Sequence, residues 1–215
     1  MAMLFILSSA CGSKRSPTGG EQDATKPVVI ATSPAEFADL AGKTIEITFS
    51  KPMDRNSLAN SVYIYPPVMY KKLSLDGTTL RIKLNEALKQ DTNYFITLTT
   101  RLKDLRGNAL GQNQTLVFSS GQLSAAKLSG NINYEYPADQ DNPIELNLFS
   151  ADSLLVMSRQ LTGSTYALEN LNKQPYLLHS YIDKNLNGRY DLGSEPYFEA
   201  KTLGAELSVL DIDLA

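Results

Sequence analysis

Residues 44–49 read Thr44-Ile45-Glu46-Ile47-Thr48-Phe49, an alternation without exception. In an extended chain successive side chains point to opposite faces, so Ile45, Ile47 and Phe49 share one side and Thr44, Glu46 and Thr48 the other. Wound as a helix, the same residues would put Ile47 on the side opposite Ile45 and Phe49. The segment predicts a β-strand with one buried and one wet face. Working outward, Thr79-Leu80-Arg81-Ile82-Lys83-Leu84 repeats the pattern, and the hairpin dipeptide Asp76-Gly77 joins it to Lys72–Leu75. Val28–Ile30 precedes; Val62–Tyr65, stopped by Pro66-Pro67, then Tyr94–Leu98 and Thr115–Ser119 complete the series. About seven short runs in about 95 residues, with turn signals every 8–12, is the arithmetic of a two-sheet sandwich. Residues 85–92 leave room for one helical turn.

After Phe118-Ser119-Ser120-Gly121 a second series begins: 127–134, 144–149, 154–159, 165–168, 176–182, 197–201 and 206–214. Ile144, Leu146 and Leu148 share a face. In the last run Leu207 and Val209 fall in one phase and Leu210, Ile212 and Leu214 in the other, a slip that a bulge explains. The expectation is an all-β chain in which residues 122–215 form a second small antiparallel β-sandwich of transthyretin-like (prealbumin-like) topology.

Several residues in the first module have physical roles of their own. Pro52 cannot donate to a ladder and ends the strand before it. Asp54 suits a cap on a turn leading to Ser57. Tyr94 opens a late strand, where a tyrosine hydroxyl commonly bonds upstream backbone. Gly107-Asn108 suits a loop needing positive φ.

The segments PVVIATSP (27–34), IEITFSKPMD (45–54), LKQDTNYFITL (88–98), KDLRGNAL (103–110) and FSSG (118–121) together resemble the bacterial Ig-like domain first associated with S-layer proteins, the SbsA type. Pro17-Thr18-Gly19-Gly20, followed by Asp23 and Pro27, is similar to the tether of Bacteroidetes lipoproteins that carry this domain. The resemblance implies an Ig-like β-sandwich over 27–121 in a cell-envelope protein, and no catalytic residues.

The amino terminus fits that address. MAMLFILSSA (1–10) is too short to span a bilayer, which takes about 20 residues, and reads as the end of a secretory signal. Cys11, the only cysteine, follows Ser8-Ser9-Ala10 and resembles the lipobox of bacterial lipoproteins, which implies a diacylated thiol at the start of the mature chain. A lone cysteine also packs well in a core. Residues 12–26 (GSKRSPTGGEQDATK) contain no large apolar side chain to build such a core, so they favour lipidation and read as a flexible tether. The expected division is thus signal and lipobox cysteine at 1–11, tether at 12–26, and sandwiches at 27–121 and 122–215. The expected location is the outer membrane, facing the periplasm or the exterior.

Composition narrows the function. Of 215 residues, Lys and Arg number 20 and Asp and Glu 23, a net of −3, which lacks the basic excess of a nucleic-acid binder. Trp is absent and His179 is the only histidine, so His-based catalysis and zinc ligation have few routes. No P-loop, G-x-G-x-x-G or G-x-S-x-G occurs. Charge divides unevenly: residues 1–121 hold 14 basic and 10 acidic side chains, a net of +4, and residues 122–215 hold 6 and 13, a net of −7. The eleven tyrosines suit strands, and aromatic faces also stack on sugar rings.

One stretch carries chemistry. Residues 183–195 read DKNLNGRYDLGSE, that is D-x-N-x-N-G-x-x-D-x-x-x-E. Calcium takes 6–8 oxygens, and positions 1, 3, 5 and 9 of such a loop, turned by Gly at 6, converge on one point. Asp183, Asn185, Asn187 and Asp191 hold those positions, the Arg189 carbonyl the seventh, and Glu195 falls one past the twelfth. The stretch resembles calcium loops of the EF-hand type and those of bacterial surface-protein repeats. Asn, Asp and Gly are equally the usual turn formers, so a turn without metal remains the other reading. The function expected is a non-catalytic, lipid-anchored structural or protein-interaction module with no certain cofactor. Its alternative is a calcium-assisted module binding a glycan or an envelope protein.

Overall fold

The structure, a computed structural model, describes residues 20, 21, 23–204 and 208–215, with backbone only at 200–202. Cys11 lies outside the described residues. The first seven strands are β1 (Val29–Ser33), β2 (Thr44–Phe49), β3 (Val62–Tyr65), β4 (Lys71–Asp76), β5 (Thr79–Leu84), β6 (Thr92–Leu98) and β7 (Gln114–Ser120). Seven more follow: β8 (Ala126–Tyr134), β9 (Ile144–Ser150), β10 (Leu155–Leu161), β11 (Thr165–Leu171), β12 (Tyr176–Ile182), β13 (Tyr197–Leu203) and β14 (Ile212–Leu214). Among the described residues no helix is long and apolar enough to cross a membrane.

Sheets β1-β2-β5-β4 and β3-β6-β7 enclose one core, and β10-β9-β12-β13 and β11-β8-β14 enclose the other. The alternation of TIEITF holds: Ile45, Ile47 and Phe49 are buried and meet Tyr94, Ile96, Leu98 and Phe118 from the facing sheet. In the second core Leu146, Leu148 and Leu178 meet Leu128, Ile132, Tyr166 and Leu168. Each such side chain contributes about 1.5–3 kcal/mol relative to exposure.

The two cores are not separate bodies. Phe95 and Val117 pair across β6 and β7, point away from the first core, and join the second cluster. Both faces of the β6–β7 pair are therefore buried, one by β2 and β5 and the other by β10. The result is a stack of four sheets in which β3-β6-β7 and β10-β9-β12-β13 are the inner layers.

Local details follow their sequence signals. Gly77 turns the β4–β5 hairpin at φ 56°, and Gly107 sits at φ 88°. Asp54 accepts the Asn56 N–H at 2.9 Å and caps a 3₁₀ turn at Arg55–Leu58. The Tyr94 hydroxyl accepts the Lys89 N–H at 2.9 Å, the upstream backbone bond expected of it.

Three details differ from expectation. Residues 85–92 form no helical turn, because their backbone is engaged from outside: the Tyr70 carbonyl takes the Asn85 N–H, the Tyr94 hydroxyl takes that of Lys89, and Asp91 sits at φ 50°. Within the expected tether, Asp23 to Lys26 lie on the first sandwich. Lys51 Nζ donates to Asp23 Oδ2 at 2.7 Å and to the Thr25 carbonyl, and Asn108 Nδ2 donates to the Asp23 carbonyl at 2.9 Å. Through the bond to Lys51 above all, the exposed Asp23 carboxyl is held at about 2.

The third is the last run. It pairs with β8 in parallel, Ile212 opposite Ile132 and Val209 opposite Ser129, with one offset on both sides and hence no inserted residue. Val209 simply faces solvent. Between these pairs the ladder is broken by side chains: the Leu210 carbonyl accepts the Tyr166 hydroxyl at 2.8 Å, and Asp211 Oδ1 accepts the Asn131 N–H at 2.8 Å. The Leu210 carbonyl runs against Gly130 so closely that a Cβ there would overlap it. Gly130→Ala is expected to cost about 2–3 kcal/mol through backbone displacement, lowering the melting temperature by about 5–10 °C in a thermal scan. Gly42→Ala, whose Cβ would meet open space on a backbone without positive φ, is the control for surface glycines.

Candidate functional site at the joint of the two sandwiches

The joint is held by polar side chains that are themselves buried. Asn93 on β6 is fully buried and uses every polar atom. Its backbone N–H donates to Asn172 Oδ1 at 2.8 Å, and its Nδ2 donates to the carbonyls of Asn170 at 2.6 Å and Ser124 at 3.0 Å. Its Oδ1 accepts the Ser124 N–H at 3.0 Å, and Asn172 Nδ2 donates back to its carbonyl at 2.9 Å. Further along, the Thr97 and Thr115 hydroxyls are bonded at 2.8 Å, and the Ser158 N–H donates to Thr115 Oγ1 at 2.9 Å.

Glu145 on β9, only 2% exposed, lies at the end of this network. Gln160 Nε2 donates to its Oε1 at 2.9 Å and Asn113 Nδ2, from the first sandwich, reaches its Oε2 at 3.5 Å. Burial pushes its carboxyl above the ordinary 4.5; the Gln160 bond opposes this and the nearby Asp183 charge reinforces it.

The 183–195 loop closes beside Glu145, between β12 and β13. The structure brings Asp183, Asn185, Asn187, Asp191 and Glu195 together. Asp183, 1% exposed, accepts the N–H groups of Asn187 at 3.0 Å and Gly188 at 2.8 Å on separate oxygens. Asp191 Oδ2 accepts Asn185 Nδ2 at 2.6 Å and Asn187 Nδ2 at 2.8 Å. Arg189 gives its N–H to Asn187 Oδ1 at 2.7 Å. Glu195, one residue late for an EF-hand, spans the base of the loop, accepting the N–H of Lys184 and that of Asp191, each at 2.9 Å. Among the described residues, no group of three or more His, Cys, Asp or Glu side chains is placed to hold a metal ion. The tip rests near the first sandwich, where a Cβ on Gly188 would lie 3.3 Å from Thr100 Oγ1.

Sequence reasoning missed a row of aromatic rings that continues from this loop across β12 and β13. Phe149 and His179 have centroids 4.9 Å apart, His179 and Tyr197 6.1 Å, Tyr197 and Tyr190 4.7 Å, and Tyr190 and Tyr181 5.8 Å. The Tyr197 hydroxyl donates to Glu199 at 3.1 Å and lies 3.1 Å from His179 Nδ1. Burial, then the Glu199 carboxylate, pushes Tyr197 up to about 12. The pairing of β12 with β9 on one side and β13 on the other, with Tyr190 supplied by the loop, aligns these residues, so no local motif announced them. A cleft of 520 Å³ separates the loop tip from the first sandwich and is lined by Tyr63, Arg101, Lys103, Asn187 and Arg189.

The raised Glu145 pKa has a definite sign. Between the unfolded value near 4.5 and the higher folded one, the folded state binds more protons, so stability rises as pH falls through that window. In urea titrations across it, the wild type is expected to gain stability relative to Glu145→Gln as the pH is lowered. A constant difference between the two proteins would remove Glu145 as the source.

No curated protein sequence matches the chain. Among solved structures, the N-terminal part of the bacterial S-layer protein SbsC is 15% identical with a TM-score of 0.35, covering 87% of this chain and 45% of that one. PorU from Porphyromonas gingivalis is 14% identical with a TM-score of 0.31, covering 93% and 21%. Alpha-2-macroglobulin from Escherichia coli is 15% identical with a TM-score of 0.34, covering 77% and 68%. The chain thus spans less than half of the SbsC and PorU structures. The family model of the bacterial Ig-like domain matches residues 23–120, starting at the Asp23 that Lys51 holds in place. The first sandwich of this chain is a bacterial Ig-like domain.

Proposed function

We propose that this chain is a non-catalytic, lipid-anchored protein of the bacterial cell envelope, acting as a structural or protein-interaction module at the outer membrane. The observation that supports it is the order of parts: an apolar run, Cys11, a polar stretch, and then an Ig-like domain from Asp23. Acyl chains on Cys11 would hold the sandwiches at the membrane surface, each buried methylene contributing about 0.8 kcal/mol. The buried joint suits a spacer, because relative motion of the sandwiches would break the Asn93 and Thr115 hydrogen bonds. Expressed with its signal in a Gram-negative host, the protein is expected in the membrane fraction with a mass increase of acyl chains on Cys11. Cys11→Ser is expected in the soluble fraction. Wild-type protein recovered from cytosol with a free thiol would overturn the reading.

A second reading, a calcium-assisted module binding a glycan or a protein, is favoured by the meeting of Asn185, Asn187 and Asp191 beside Asp183. For it the two carboxamides turn so that oxygen, in place of Nδ2, faces the Asp191 carboxylate. The loop then presents Tyr190 and its stacked neighbour Tyr197 to the ligand. Millimolar calcium is expected to raise the melting temperature, chelator to reverse the rise, and Asp191→Asn to abolish it. No shift with calcium would leave the loop as a hydrogen-bonded turn.

A further inference from the structure

The joint between the sandwiches is not closed along its whole length. On the side of β6 that faces the second sandwich, Asn93, Phe95 and Thr97 are buried, whereas Thr99 is half-buried and borders the 520 Å³ cleft. Tyr63, opposite Thr97 on β3, and Leu155, at the start of β10, line the same cleft. Arg101 and Lys103 reach it from the first sandwich and Arg189 from the tip of the 183–195 loop.

Its charge is of one sign. Arg101, Lys103 and Arg189 are exposed and join none of the ion pairs among the described residues. Among the described residues, no Asp or Glu lines this cleft. The carboxylates nearest in sequence are bonded elsewhere. Asp104, 2% exposed, accepts the N–H groups of Arg106 and Asn108, Asp54 caps Asn56, and Asp191 accepts the Asn185 and Asn187 amides. Glu145 and Asp183 line a separate hollow with Lys26. Two other clefts mix their charges: one of 570 Å³ sets Asp91 and Asp152 beside Lys89 and Lys173, and one of 400 Å³ sets Glu36 beside Arg159. A cleft of one sign between low-dielectric walls concentrates its potential on whatever enters.

The walls are fixed before any ligand arrives. The Thr100 N–H donates to Asn113 Oδ1 at 3.0 Å, and Asn113 Nδ2 donates to Ser158 Oγ at 3.0 Å, which ties the Arg101 segment to β10. On the other wall the Arg189 N–H is held by Asn187. Two guanidinium groups and an ammonium are thus presented from separate segments with no counter-charge between them. Guanidinium groups take planar acid groups such as carboxylate or sulfate through paired hydrogen bonds. Tyr63, 37% exposed, adds a flat apolar face, and the hydroxyls of Thr99 and Thr100 lie beside it. A sugar ring matches that mixture, since its C–H face stacks on an aromatic ring while its edge carries hydroxyls. The volume falls within the range of about 300–1,000 Å³ usual for small-molecule sites.

We propose that this cleft binds an anionic saccharide, its acid groups on Arg101, Lys103 and Arg189 and a sugar ring against Tyr63. An acidic peptide offers the same charge, but the exposed ring beside threonine hydroxyls favours the sugar. The proposal goes beyond both readings of the function, since it needs neither the anchor nor calcium.

The test is calorimetric titration of the full chain carrying Cys11→Ser, in EDTA throughout. Trigalacturonate is the carboxylate probe and a heparin tetrasaccharide the sulfate probe. Binding of either is expected at about 50 mM NaCl and is expected to weaken severalfold at about 500 mM, where charges are screened beyond a few ångströms. The stronger of the two names the acid group, and neutral maltotriose is expected not to bind. Arg101→Gln and Arg189→Gln are each expected to weaken binding about tenfold, and Tyr63→Ala about two- to tenfold. All three side chains are exposed, so melting is expected to stay unchanged. Lys72→Gln, which removes an exposed charge from β4 instead, is expected to leave binding as it is. Failure of both acidic probes to bind, equal binding of maltotriose, or an equal loss in Lys72→Gln would overturn the proposal. So would a hexaglutamate peptide that binds as tightly and is indifferent to Tyr63→Ala, which assigns the cleft to acidic protein segments. With the anchor and calcium both removed, these outcomes leave the Cys11 fractionation and the calcium melting test to stand or fall separately.

Discussion

The β6–β7 ladder has no wet face, and the remaining architecture follows from that constraint. An antiparallel pair in an isolated sandwich turns one side to water. Here Tyr94, Ile96 and Phe118 fill the first core while Phe95 and Val117 belong to the second. The side facing β10 must satisfy every polar group it carries, because an unpaired buried donor or acceptor costs about 1–3 kcal/mol. Asn93, Thr97 and Thr115 meet that demand with partners from the second sandwich, so apolar area supplies attraction and hydrogen bonds set the register. Sliding the second sandwich by one residue would leave the Asn93 atoms unpaired.

This also explains what could be read from the sequence. TIEITF and TLRIKL declare one dry and one wet face, and both strands lie where that alternation places them, on an outer sheet. TNYFITL declares no wet face: Phe95 and Thr97 fill the phase that Arg81 and Lys83 hold in β5. That absence of charge was the local trace of double burial, but it cannot say which surface does the covering. Glu145 was illegible for a related reason. It occupies the polar phase of β9, opposite Ile144, Leu146 and Leu148, and reads as a solvent-facing residue until Asn113 arrives from the other sandwich.

The loop shows the same division at shorter range. Asp183, Asn185, Asn187 and Asp191 fall within nine positions, and their convergence follows from turn chemistry that sequence spacing encodes. Glu195 was out of step with that spacing because it does another job, tying the first and last parts of the loop through the N–H groups of Lys184 and Asp191. The aromatic row had no comparable signal. His179 and Tyr197 are eighteen positions apart and become neighbours only through strand pairing.

Closure by buried carboxylates has a further consequence for what the loop can present. Asp183 and Glu195, 1% and 7% exposed, hold the two ends of the segment by bonds to backbone, which every residue except proline supplies. The shape of the tip is then largely independent of its outward side chains. Leu186 and Leu192, 71% and 88% exposed, contribute almost no burial there, so the tip does not depend on them for its shape. The loop is thus a fixed frame with exchangeable contents, set beside the joint where the frame itself cannot drift: Gly188 abuts Thr100 of the first sandwich, and Asp183 stands over the Glu145 that the joint has buried.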